Sequence, residues 1–245
     1  MEAKKPKNIY IIGAQSTGKT TIVNALEAAL EREERQETDT TDSIAPEASS
    51  TDPSTLQRPN DNTEGGDGWW QRGGRAKAKK PKIIRELART VLKNLNVTRD
   101  YLTSDTESAE TIQRHILHAQ YKAEKDILAS DEGTWFISDR SGADTLVYAS
   151  MFAGEAAVQR LLASQEWLEL ETRMKEGIVF VCEAGTTWLH DDGVRYMPTN
   201  LDDWNRVDAT FRAILARRDI SYVVIPNVLE NLQDRVDLVK RTWQR

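Results

Sequence analysis

Apolar residues fall in short unbroken runs that alternate along the chain with longer stretches of helical spacing. Asn8–Ile12 is mostly apolar without alternation, the pattern of a short strand buried on both faces of a parallel sheet. Ile22, Val23, Leu26, Ala29 and Leu30 then recur three and four apart, predicting an amphipathic helix that fades in Glu31–Arg35. Ile83–Glu86 predicts a second strand, followed by a helix through Leu87, Val91, Leu92 and Leu95. Ile112, Ile116, Ala119, Ala123 and Ile127 mark a further helix, and Thr134–Ser138 a third strand ending at Asp139. Helical segments fill about Asp144–Met174. Gly177–Glu183 is the fourth predicted strand, and Val207, Phe211, Ile214 and Leu215 mark the next helix. Ile220–Ile225, closed by Pro226, is the fifth strand, and Leu232, Val236, Val239 and Trp243 carry the last helix. Strands alternating with helices predict an α/β fold with a parallel five-stranded sheet flanked by helices.

One segment breaks this rhythm. Residues 36–82 are rich in Thr, Ser, Asp, Pro and Gly and carry almost no aliphatic side chains, too few to offset the entropy of ordering them. The expectation is one domain over residues 1–245 with a disordered insertion or functional lid at 36–82. Its charge turns from acidic to basic at Arg72, Arg75, Lys77, Lys79, Lys80 and Lys82, and Trp69 and Trp70 stand out in it. It reads either as a solvated tether or as a flap that docks on a protein partner, a phosphate-rich substrate or the active site.

Between the first strand and its helix, Gly13-Ala14-Gln15-Ser16-Thr17-Gly18-Lys19-Thr20 matches G-x-x-x-x-G-K-[ST], with Thr21 following. The glycines allow a curl in which successive backbone N–H groups face phosphate oxygens, and the helix beginning near Lys19 adds its positive end. Lys19 is placed to reach the β- and γ-phosphates and Thr20 to take a Mg²⁺ coordination position. The expected fold is therefore a P-loop NTPase that binds a nucleotide with Mg²⁺; the motif alone does not say which nucleotide, and ATP is the one expected on the kinase reading below.

In such sheets ligands bind beyond the carboxyl ends of the strands. Asp139 lies at such an end, where a Walker B carboxylate sits; it is a candidate for holding Mg²⁺ or accepting the proton of an attacking hydroxyl, the alternative being a helix cap. Glu86 is a candidate for orienting a substrate hydroxyl, the alternative being an ion pair with Arg85 or Arg89. Arg140 and Arg195 are candidates for stabilising charge on the transferring group. His115 and His118 lie one turn apart without an evident third metal ligand, and read as plain helix surface.

The composition narrows the setting. A net charge of −6 argues against broad nucleic-acid binding, which needs a basic face. The single cysteine, Cys182, excludes a disulfide within the chain and points to a reducing compartment. The N-terminus lacks the apolar core of a signal peptide, and no apolar run approaches the roughly 18 residues that span a membrane. The expected location is the cytoplasm, with the nucleus as the alternative.

GAQSTGKTT after the first strand, RELAR after the second and ISDRSGADTLVYA after the third resemble the AAA-type P-loop family that includes the ribosylnicotinamide kinase domain of bacterial NadR. More distantly the chain is similar to deoxynucleoside kinases. The resemblance covers the chain apart from about Gln36–Lys82, and implies a five-stranded kinase core that phosphorylates a small hydroxylated acceptor, often a nucleoside. Carried over on the matching motifs, Lys19 and Thr20 serve phosphate and Mg²⁺, Glu86 is the acidic residue after the second strand, and Asp139 with Arg140 form the DRS-like motif. Asp192-Gly193-Val194-Arg195 looks like the D-G-x-R segment, which makes Arg195 the lid arginine.

Two other readings stand beside the kinase. One is a regulatory NTPase acting through a protein partner on the 36–82 insertion; no N-K-x-D guanine-reading motif supports a GTPase switch. The other is a polynucleotide kinase, favoured only by the basic run at Arg72–Lys82.

Overall fold

The computed structural model describes residues 6–42, 79–97, 105–185 and 200–245. Among them, five strands form one parallel sheet: β1 (Ile9–Gly13), β2 (Lys82–Ile84), β3 (Phe136–Asp139), β4 (Ile178–Cys182) and β5 (Tyr222–Ile225), in the order β2-β3-β1-β4-β5. The first strand in sequence is thus the central one. Its neighbours bring Asp139 beside Ile11 and Cys182 beside Gly13, so the ends of three strands converge where the chain leaves β1.

The strands are buried on both sides because successive residues point to opposite faces and both faces are covered. Ile9 and Ile11 of β1, with Trp135, Ile137, Phe180 and Cys182, pack under α1 (Lys19–Asp42) and α8 (Leu232–Trp243). Tyr10 and Ile12, with Phe136, Val179 and Val181, face α3 (Thr106–Ser130), α4 (Gly142–Phe152), α6 (Gln165–Glu176) and α7 (Leu201–Arg217). The remaining helices are α2 (Ala88–Leu95) and α5 (Glu155–Leu162). Trp243 closes the first face: its ring stacks on Trp135 at 4.8 Å, and its indole N–H donates to the Lys7 carbonyl at 3.0 Å.

Three boundaries differ from the sequence expectation. The first helix continues past Arg35 to Asp42, into a Thr- and Asp-rich stretch whose residues have weak helix propensity. The second strand begins at Lys82 and ends at Ile84, so Glu86 lies two residues beyond it. Residues 79–82 are tied down rather than part of a tether: Trp135 Nε1 donates to the Lys79 carbonyl, and Lys82 N donates to the Trp135 carbonyl at 2.9 Å. The stretch read as helical from Asp144 to Met174 divides into α4, α5 and α6, broken at Gly154 and Ser164. Trp69, Trp70 and the basic residues Arg72, Arg75 and Lys77 lie outside the described residues. No helix among the described residues is long and apolar enough to cross a membrane.

Candidate active site

The chain leaves β1 at Gly13 with φ at 132°, and a Cβ there would stand 2.5 Å from the Cys182 carbonyl oxygen on β4. Only glycine fits both the torsion and the contact. The loop that follows is braced from outside: Trp204 Nε1 of α7 donates to the Gln15 carbonyl at 2.7 Å, and Arg235 of α8 donates to the Thr17 carbonyl at 2.9 Å. Within the loop, Thr17 Oγ1 donates to the Ala14 carbonyl at 3.0 Å, and Lys19 Nζ donates to that carbonyl and to Thr17 Oγ1. Lys19 is 4 % exposed, and burial first, then the nearby Arg140 charge, lower its pKa to about 8. A bound phosphate would supply the negative charge that this ammonium group lacks.

Thr20 Oγ1 donates to Asp139 Oδ2 at 2.6 Å, joining the first turn of α1 to the end of β3. The other carboxylate oxygen, Oδ1, is buried and has no hydrogen-bond partner among the described residues. Asp139 does not cap the next helix. Ser141 does so, accepting from Ala143 N at 3.1 Å, while Asp144 accepts from Ser141 N at 2.8 Å to complete a capping box. A buried carboxylate oxygen without a donor is costly, and its pairing with a threonine hydroxyl at a helix start fits a divalent cation. Mg²⁺ takes oxygen ligands and uses one or two protein groups besides nucleotide phosphates.

Arg140 sits in left-handed backbone, φ 93°, with its N–H bonded to the Ile11 carbonyl at 3.0 Å. Such a conformation costs about 1–3 kcal/mol and persists only when its surroundings enforce it. Here three bonds hold the side chain: Nε to Glu86 at 3.0 Å, Nη1 to Asp144 at 3.1 Å and Nη2 to Gln15 Oε1 at 2.6 Å. Burial opposes its charge, but Glu86, Tyr148, Asp144 and Asp139 outweigh burial and hold its pKa well above the ordinary value. Glu86 also accepts from Arg89 at 3.1 Å, whereas Arg85 turns to Glu27 and Asn24. The ion pair that is the alternative reading of Glu86 is thus present, with Arg89 rather than Arg85, while Glu86 also pairs with Arg140 and lines the cleft.

Beside this cluster opens a cleft. Gln15, Glu86, Arg140 and Asp144 line its inner end, while Tyr148 and Phe152, with parallel rings 6.4 Å apart, lie along one wall. Gln113, Ile116 and Gln120 of α3 also line the cleft. Of the residues singled out from sequence, Gly13–Thr20, Glu86, Asp139 and Arg140 come together; Arg195, with Asp192 and Gly193, lies outside the described residues. The histidine pair does not form a metal site: His118 lies 3.4 Å from Glu166, and no cluster of three metal-ligating side chains occurs among the described residues. Sequence reasoning missed Asp144, the Gln15 side chain, Gln113, Gln120 and Tyr148. For Asp144 a signal existed, because Ser141-x-x-Asp144 after a strand is a capping-box pattern.

The arrangement is that of a nucleotide-binding P-loop domain. A crystal structure of NadR protein in complex with NR is similar to the chain, with a TM-score of 0.58 at 16 % identity, covering 97 % of this chain and 51 % of that one. The chain thus spans about half the length of that protein, and at this identity the likeness is one of fold. No curated protein matches the chain. The family model described as AAA domain matches residues 75–235, well over half of the 245-residue sequence. The chain belongs to that AAA-domain family.

Proposed function

We propose that the chain is an ATP- and Mg²⁺-dependent kinase that transfers the γ-phosphoryl group to a hydroxyl of a small acceptor such as a nucleoside. The observation that carries this reading is the continuity of two sites through one residue. Gln15 belongs to the phosphate loop, lines the cleft and binds Arg140, which also binds Glu86 and Asp144 at the cleft's inner end. A protein that only binds nucleotide has no need of a carboxylate-lined cleft opening beside its phosphate loop.

In the reaction the acceptor hydroxyl oxygen attacks the γ-phosphorus, the bond to the β-phosphate oxygen breaks, and ADP leaves. Lys19 neutralises charge on the β- and γ-phosphates. Thr20 Oγ1 and Asp139 Oδ1 are the groups that would hold Mg²⁺, which when bound offsets charge on the phosphate oxygens. Glu86 orients the attacking hydroxyl; taking its proton is the alternative role of Asp139 to holding the cation. Arg140 fixes Glu86, Asp144 and Gln15 relative to one another and lends positive charge to the transfer. Arg195 takes the lid role on the strength of its D-G-x-R setting. The part of the 36–82 insertion between α1 and Lys79 is the proposed surface for a protein partner.

The test is a transfer assay with ATP labelled at the γ-phosphate, offered nucleosides, short RNAs with free ends, or no acceptor. Label on a nucleoside is the expected result. Label on RNA ends would replace the proposal with a polynucleotide kinase. Acceptor-independent release of phosphate would replace it with a regulatory NTPase.

A further inference from the structure

Gln113, Ile116 and Gln120 fall at i, i+3 and i+7 of α3, so they share one helix face, and all three line the cleft. Gln120 is 3 % exposed, and its amide nitrogen donates to Glu124 Oε1 at 2.8 Å and to Ser138 Oγ at 3.1 Å. A glutamine amide has two N–H donors, and both are committed. Its carbonyl oxygen is the polar atom left for the cleft.

The carboxylate that fixes this orientation is itself held from behind. Tyr10 Oη donates to Glu124 Oε2 at 3.1 Å, and Arg173 Nη1 lies 3.5 Å from the same oxygen. Gln113, 4 % exposed, makes no hydrogen bond to any described residue although it lines the same cleft. Tyr148, also lining the cleft, has a buried hydroxyl that makes no well-formed hydrogen bond among the described residues, though it lies beside Arg140. Polar atoms from both walls, the Gln113 amide and the Tyr148 hydroxyl, are thus placed for a ligand's polar atoms. The apolar side chains between them, Leu87, Leu92, Ile116 and Phe152, suit a flat ring rather than a charged chain.

We propose that Gln120 determines acceptor specificity: held by Glu124 and Ser138, its carbonyl oxygen accepts a hydrogen bond from an N–H donor on the edge of the acceptor's planar ring, and Gln113 binds the same edge. Glu124 is a positioning residue in this scheme, since it acts through Gln120. The inference rests on the kinase reading for its acceptor, but it concerns binding and is tested by binding.

The probes are matched nucleosides in which one member offers an N–H donor on the ring edge and the other offers only oxygen there: cytidine against 4-O-methyluridine, adenosine against 6-methoxypurine riboside, nicotinamide riboside against nicotinic acid riboside. Calorimetry gives the dissociation constants for the full chain, and transfer assays run alongside. In the pair bound most tightly, the donor member should bind at least about tenfold better, because its partner leaves the Gln120 oxygen facing another oxygen. Gln120→Met should reduce that ratio to below about threefold while ATP affinity stays within about threefold. Since that variant also removes a partner of Glu124, Glu124→Gln provides a second arm. It leaves the cleft side chain intact but frees its amide to turn, so the ratio should fall there too. Equal binding of both members, preference for the oxygen member, a ratio unchanged in both variants, or no binding of any nucleoside would each overturn the inference. Donor-selective binding without phosphate transfer would uphold it and defeat only the kinase reading.

Discussion

The Thr20 hydroxyl donates to Asp139 Oδ2 at 2.6 Å while Asp139 Oδ1 stays buried and unpartnered. Half of one carboxylate is thus used to join the phosphate loop's helix to β3, and the other half is kept for something that the described residues do not supply. A cation or a transferred proton fits that place; a purely structural carboxylate would have both oxygens satisfied.

Asp139→Asn keeps the shape and the acceptor for Thr20 but removes the charge. General-base and metal-organising carboxylates act mainly on the chemical step, where a general base contributes about 10²–10⁴-fold. ATP should bind within about tenfold of wild type while acceptor phosphorylation falls by at least about a hundredfold. Transfer rates together with equilibrium binding of a non-hydrolysable ATP analogue check this; loss of both in equal measure would make Asp139 a residue of the fold.

Lys19 should take up a proton when nucleotide binds. Its pKa in the free protein is lowered to about 8, chiefly by burial, and phosphate charge favours its ionised form. Below pH 8 the group is already charged and little changes. Above it, binding must protonate the amine, so affinity should fall as pH rises from about 8 toward the ordinary lysine value of 10.5. Calorimetry at pH 8.5 in two buffers of different ionisation enthalpy should show net proton uptake in wild type and none in Lys19→Met. The Met variant should also lose turnover at an unchanged melting temperature.

The strands and the phosphate loop were legible because their signals are local. An unbroken apolar run such as Ile9–Ile12 has no solvent face to offer, and G-x-x-x-x-G-K-T writes its backbone geometry into its glycines. The pairing of Arg140 was less accessible, since Glu86 and Gln15 meet it only once β1, β2 and β3 stand side by side in the sheet. Gln113, Gln120 and Glu124 were hidden for another reason. On an amphipathic helix such polar positions read as solvent-facing, yet α3 is covered along that face by the sheet and the cleft. The extension of α1 to Asp42 runs against local propensity and had no signal in its own residues.

Gly13→Ala should be costly well beyond the loss of one conformer. The added Cβ meets the Cys182 carbonyl at 2.5 Å, and that carbonyl belongs to strand backbone that cannot rotate away. Urea denaturation should show a loss of at least about 2 kcal/mol, with nucleotide binding weakened in parallel. A change within about 0.5 kcal/mol would mean that β1 and β4 separate without cost at this point.

Glu124 gives the protein a stability that falls as pH rises. Burial, opposed by Gln120, Arg173 and Tyr10, lifts its pKa from 4.5 to about 7. The groups facing it are Tyr10 of β1, Gln120 of its own helix and Arg173 of α6, which also binds Glu169 at 2.9 Å. Between pH 4.5 and 7 the folded chain keeps this proton more often than the unfolded chain does, so unfolding releases it and is favoured by raising the pH. The contribution is absent well below 4.5, grows through that window and is complete above about 7, where the buried charge costs on the order of 3 kcal/mol. Glu124→Gln has nothing to titrate. Melting temperatures measured from pH 5 to 8 should therefore fall more steeply in wild type than in the variant, with the extra fall complete by about pH 7. Parallel pH profiles would show that Tyr10, Gln120 and Arg173 stabilise the carboxylate enough to keep it ionised throughout, and that the Gln120 amide is then held in one orientation at every pH in the range.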